Sequence, residues 1–65
     1  MTHYRLYRIN GAGRIFGVHA AECESDEHAA RLARSTVGKI SGCAAIEVWD
    51  RGRQVARVPS PDRPH

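Results

Sequence analysis

Two stretches of turn chemistry, Asn10-Gly11-Ala12-Gly13 and Arg51-Gly52, each stand between β-prone runs, and a single helical pattern lies between the two. Asn and Gly tolerate the positive φ that tight hairpin turns demand. Residues 4–9 and 14–23 therefore read as one hairpin, and residues 44–49 and 53–58 as a second. The intervening helix has its own start signal. Ser25 is suited to cap, and Asp26 and Glu27 put negative charge in the first turn, where the helix dipole favours it. Ala29, Leu32, Ala33, Thr36 and Val37 recur at helical spacing, while Glu27, Arg31 and Arg34 take the other side and Gly38 suits the end. Strands are expected near 3–10, 14–23, 44–50 and 53–58, with one helix near 26–38.

This order, β-β-α-β-β, predicts an α+β fold. If the helix crosses back over the sheet, the second and third strands run the same way, and placing the first strand between them gives a right-handed split crossover. The spatial order is then 2-1-3-4, a four-stranded antiparallel sheet with one helix on one face. Residues 1–58 make a single small domain, since a chain of 65 residues leaves no room for a second. Residues 59–65, with three prolines in seven positions, read as a mobile tail.

Cross-strand pairing follows from the turns. With Arg51-Gly52 as a two-residue turn, Val48 faces Val55 and Ile46 faces Arg57. The other side then holds Trp49 with Gln54, Glu47 with Ala56, and Ala45 with Val58. In the first hairpin Ile9 pairs with Arg14, Tyr7 with Phe16 and Arg5 with Val18. Its opposite side has Leu6 beside Gly17, Arg8 beside Ile15 and Tyr4 beside His19. A slip of one residue would exchange the two sets. In either register both sides carry sizeable apolar groups, and one short helix covers only one of them. Ile, Val, Leu and Phe together number twelve, so the core is poor in large side chains and gains from a partner. Tyr7, Phe16 and Trp49 are the expected interface anchors, because buried aromatics dominate interface energy. The plainer alternative is that one aromatic caps the edge of the core and the others stand exposed singly.

Other chemistry finds little to hold. His3, His19, His28 and His65 share no ligand spacing, and Cys23 and Cys43 form no C-x-x-C pair, so neither a metal nor another cofactor is expected. The helix should hold the two cysteines at opposite ends of the domain, unbonded. Cys23 is followed by Glu24, Asp26 and Glu27, which raise a thiol pKa rather than lower it. The acidic cluster reads as charge that starts a helix. Gly11-Ala12-Gly13 joins two strands, whereas phosphate-binding loops open a helix. No enzyme is indicated. No signal-like apolar stretch opens the chain and none is long enough for a membrane span, so a reduced cytoplasmic protein with no membrane partner is expected.

The sharpest rival is nucleic-acid binding. Nine Arg stand against one Lys, for a net charge of +3. Arg5, Arg53 and Arg57 fall on the strands with Trp49 among them, the residue types of a single-strand stacking platform. Glu47 and Asp50 interrupt that basic surface, and an Arg-rich chain is also what a GC-rich genome produces. Self-association therefore stands first and nucleic-acid binding is the runner-up, with another protein as partner left open.

The string Tyr4-Arg5-Leu6-Tyr7, followed by Gly13-Arg14-Ile15, Glu22-Cys23, Asp26-Glu27, Glu47-Val48-Trp49 and Arg53-Gln54-Val55-Ala56-Arg57, resembles a group of very short, uncharacterised proteins of alphaproteobacteria. Arg8 departs from that pattern, where an apolar residue would fit better. The resemblance implies a bacterial cytoplasmic protein and carries no activity and no functional residue.

Overall fold

A computed structural model describes residues 1–60. Its elements are β1 (Thr2–Ile9), β2 (Ile15–Cys23), α1 (Asp26–Val37), β3 (Ala45–Asp50) and β4 (Arg53–Pro59). The sheet order is β2-β1-β3-β4, antiparallel throughout. The expected α+β architecture and strand order are both present.

α1 begins where Ser25 leaves extended backbone and its hydroxyl accepts the His28 N–H at 3.1 Å. Its inner stripe is Ala29, Ala33 and Val37, all buried, with Leu32 partly so. Small side chains on that stripe let the helix axis approach the sheet, and it lies over β3 and β4 more than over β1. Beneath it Tyr4, Leu6, Cys23, Ile46, Val48 and Val58 close the core. Gly38 keeps right-handed backbone (φ −76°), so its freedom is not used at the helix end.

Both hairpins depart from the expected pairing. In the first, Asn10 and Arg14 close a three-residue loop, with Asn10 N–H to Arg14 O at 2.8 Å and Gly13 at φ 82°. The Asn10 side-chain oxygen also accepts from Ala12 and Arg14 N–H, both at 3.0 Å. That tighter loop moves the register by one residue, and an irregularity at Arg8/Ile9, with Phe16 as the extra residue, moves it by one more. Tyr7 consequently faces Val18 instead of Phe16, Leu6 faces His19, and Tyr4 faces Ala21. Two single steps add to a shift of two, so every β1 side chain keeps its expected face.

The second hairpin starts as expected, with Trp49 opposite Gln54, and then shifts at Val48/Trp49. Val55 is the extra residue. Beyond it Val48 faces Ala56, Glu47 faces Arg57, and Ile46 faces Val58. Without the bulge Arg57 would lie beside Ile46 on the core side. With it, Val58 enters the core and Arg57 moves to the helix-free face. β4 also runs one residue past the expected end, through Pro59, and Ser60 N–H bonds Ala44 O at 2.8 Å. The chain is held in the sheet there, contrary to a tail beginning at 59. The remainder of that expected tail, 61–65, lies outside the described residues.

Cys23 and Cys43 are free and buried. Cys23 faces Thr2 at one end of β1, while Ala44 N–H bonds Ile9 O at the other. Seven residue steps of strand separate those ends by about 23 Å, far beyond disulfide reach.

Candidate interaction face

The helix-free side of the sheet carries Arg5 and Tyr7 from β1, Val18 and Ala20 from β2, Glu47 and Trp49 from β3, and Arg57 from β4, as strand alternation and the pairing register require. Tyr7 lies opposite Glu47 and Arg5 opposite Trp49. The Tyr7 and Trp49 rings meet edge to face across the diagonal, with centroids 6.5 Å apart and planes at 88°. Both rings are half-buried.

Glu47 organises this face. Its Oε1 accepts the Trp49 indole N–H at 3.1 Å, and its Oε2 accepts from the Arg57 guanidinium at 2.5 Å. The indole is thereby held in one orientation and the carboxylate's charge is answered on the surface. Beside the aromatic pair, Arg5, Tyr7, Val18, His19 and Ala20 line an open hollow of about 220 Å³. The face is thus a ridge of two rings next to a concavity.

Of the three expected anchors, the structure brings Tyr7 and Trp49 together and leaves Phe16 apart. Phe16 is 44% exposed, and its neighbour is the Arg8 guanidinium, 5.7 Å from the ring centroid. Of the three arginines expected to meet nucleic acid, two are engaged within the fold. Arg53 reaches Asp26 at 3.1 Å and Asp50 at 3.1 Å, and Arg57 is held by Glu47. Arg5 is exposed and has no ion pair among the described residues.

One functional-looking cluster escapes sequence inspection altogether. Tyr4 is 2% exposed and its hydroxyl donates to Asp26 Oδ1 at 2.7 Å, while Arg53 grips the same carboxylate from β4. The Asp26 hydrogen bond, with burial and the nearby negative charge, pushes the Tyr4 hydroxyl up to about 12. Arg53 first, and Tyr4 next, hold the Asp26 carboxyl below the usual carboxylate range, and Asp26 and Asp50 in turn raise Arg53. A tyrosine that keeps its proton and an acid that stays charged make a clasp between helix and sheet. Neither is poised for proton transfer near neutral pH. Strand alternation in β1 was the available signal, since of the two tyrosines only Tyr4 shares parity with Leu6.

Among the described residues no three His, Cys, Asp or Glu side chains converge to hold a metal ion, and no helix is long and apolar enough to cross a membrane. No protein-family model, curated protein or solved structure matches the chain.

Proposed function

We propose that this protein is a small interaction module of the bacterial cytoplasm, without catalytic activity, that associates with a second copy of itself through the helix-free sheet face. The observation that supports this most is the Tyr7–Trp49 pair. Two large rings, packed against each other and fixed by Glu47, stand on the side the helix does not cover. Ridge and hollow lie side by side, so a two-fold axis through the face sets each copy's rings against the other's Val18 and Ala20. Rigid aromatics in a partly desolvated setting are the usual energetic centre of such a contact.

Sedimentation equilibrium over a concentration series tests the reading. The expected mass rises from monomer to dimer, and Trp49→Ala weakens the association while retaining the sheet. A chain that stays monomeric at ~100 µM removes the proposal, since mass action makes any useful self-affinity visible there.

One feature favours a second reading, single-stranded nucleic-acid binding. Arg5 is uncommitted and sits directly across from Trp49. The internal ion pairs of Arg53 and Arg57 weigh against it. Fluorescence anisotropy with single-stranded RNA and DNA at ~150 mM salt separates the two, because phosphate binding falls steeply with salt and apolar association does not. Sub-micromolar affinity there would put the second reading first.

A further inference from the structure

The two edges of the sheet are protected very differently. β4 spans seven residues, carries Arg53 and Arg57, ends in Pro59, is bent by the Val55 bulge and lies under α1. Charge, proline, bulges and cover are the devices that keep an edge strand from pairing with another chain. β2 spans nine residues and contains no Lys, Arg or Pro. Ile15, Phe16 and Val18 on it are 58%, 44% and 51% exposed. Its one irregularity lies near the turn and leaves residues 17–23 in unbroken register with β1. A stretch of that length, with alternate N–H and C=O groups turned away from its neighbour, is an unguarded template.

We propose that β2 is a strand-addition edge whose occupant is β2 of a second copy, paired antiparallel, so that two four-stranded sheets join into one continuous sheet. Charge favours this occupant. Within residues 17–23 the only acid is Glu22, and there is no Lys or Arg. A two-fold axis near Ala20 sets Glu22 against Val18 of the other copy and keeps the two Glu22 side chains about 13 Å apart along the strands. Glu22 keeps its own partner, His3 Nε2 at 2.9 Å on β1. Directly opposed residues in an antiparallel pair share a face, so Val18 and Ala20 add to the helix-free side and His19 and Ala21 to the helix side. A strand from an unrelated protein would have to supply the same length of apolar, uncharged sequence.

This edge contact goes beyond the face contact and uses a different axis. The stronger of the two contacts gives the dimer, and with both formed the assembly closes on four chains at higher concentration, a pair of continuous sheets packed through their aromatic sides.

The test uses the full chain and two variants. His19→Lys places a charge in the centre of β2 on the helix side, at the rim of the hollow, and leaves the Tyr7–Trp49 ridge in place. Trp49→Ala disturbs the face and leaves the edge alone. Far-ultraviolet circular dichroism checks that both fold. The expected result in sedimentation equilibrium is a loss of affinity of about tenfold or more for His19→Lys. Amide hydrogen exchange on the wild-type chain needs no variant. Alternate amides of β2 gain about tenfold or more protection between dilute and concentrated protein, because only strand pairing covers them. If His19→Lys folds and associates like wild type, or if β2 amides exchange at one rate at all concentrations, the edge proposal is overturned. Association lost in Trp49→Ala and kept in His19→Lys leaves the face contact standing and removes the edge. The reverse pattern keeps the edge and removes the face. Protection of β2 that appears only on adding an extended peptide also overturns self-pairing, since the occupant is then a foreign strand.

Discussion

The Tyr4 hydroxyl donates to Asp26 Oδ1 at 2.7 Å, which joins the centre of the sheet to the first residue of the helix. Arg53 grips the same carboxylate from β4, so one acid ties three elements together. Asp26 is held below its ordinary range in the folded chain. Its contribution is therefore present above the unfolded carboxylate pKa of about 3.9 and is lost as pH falls through the lower folded value. Tyr4 works in the opposite direction. Its folded pKa rises from the usual 10.0 to about 12, so stability is constant below the first value and declines as pH climbs towards the second. Tyr4→Phe is expected to lower stability at neutral pH and to flatten both limbs. Urea unfolding followed across acid and alkaline pH measures this, and an unchanged alkaline limb in Tyr4→Phe would contradict it.

Arg8 is poorly placed, because its charge meets only the face of the Phe16 ring and no ion pair among the described residues. Its Nε is buried without a hydrogen-bond partner, and its side chain lies across Gly17 so closely that a β-carbon there would fall 2.1 Å from Nη2. A buried donor left unpaired costs about 1–3 kcal/mol. Arg8→Leu should therefore raise stability by about 1 kcal/mol, the rest being offset by the lost contact with the Phe16 ring. Gly17→Ala should be easier to accept in that variant than in wild type, because the obstructing guanidinium is gone. Urea denaturation of the two single variants and the double variant gives the coupling directly.

How far the sequence discloses this molecule depends on whether the information is local. The Ser25 cap, the Asn10 loop and the Arg51-Gly52 turn are each encoded within a few residues, and all three lie where the residues indicate. The strand order follows once β1 is placed between β2 and β3, the arrangement in which every neighbouring pair is antiparallel. The bulges at Phe16 and Val55 are different, because each depends on the partner strand. Val55 is expelled from the ladder so that Val58, rather than Arg57, meets Ile46. Tyr4 and Tyr7 are the same residue type three positions apart, and only parity sends one beneath the helix and the other to the open face. Likewise Arg53 and Arg57 read as free basic residues until the helix that carries Asp26 and the strand that carries Glu47 and Asp50 are placed beside them.

Arg51 holds φ 60°, the one non-glycine residue with positive φ among those described. A β-carbon in the left-handed region clashes with the neighbouring carbonyl, at a cost of about 1–2 kcal/mol that glycine avoids. No ion pair offsets that strain at Arg51 among the described residues. Arg51→Gly is expected to stabilise the chain by about 1 kcal/mol, reduced somewhat by the entropy glycine adds to the unfolded state. A rise in the thermal midpoint at unchanged far-ultraviolet dichroism would show it. A fall would mean that the guanidinium does something in this turn that outweighs the backbone.

The two thiols should be inert in the folded state. Cys23 is fully buried, and burial pushes its thiol up, away from the reactive thiolate. Cys43 is buried too, with its Sγ 3.2 Å from the Ala45 carbonyl oxygen. A disulfide-exchange reagent should therefore react with both only as fast as the chain opens, and with both at once when urea unfolds it. Because they lie at opposite ends of β1, mild oxidation of the folded protein should yield no intrachain bridge. Timed thiol counting at neutral pH, followed by mass spectrometry, measures each point. One thiol titrating within seconds in native buffer would show that its end of the sheet opens independently of the rest, and a bridged monomer would show that the two ends approach each other.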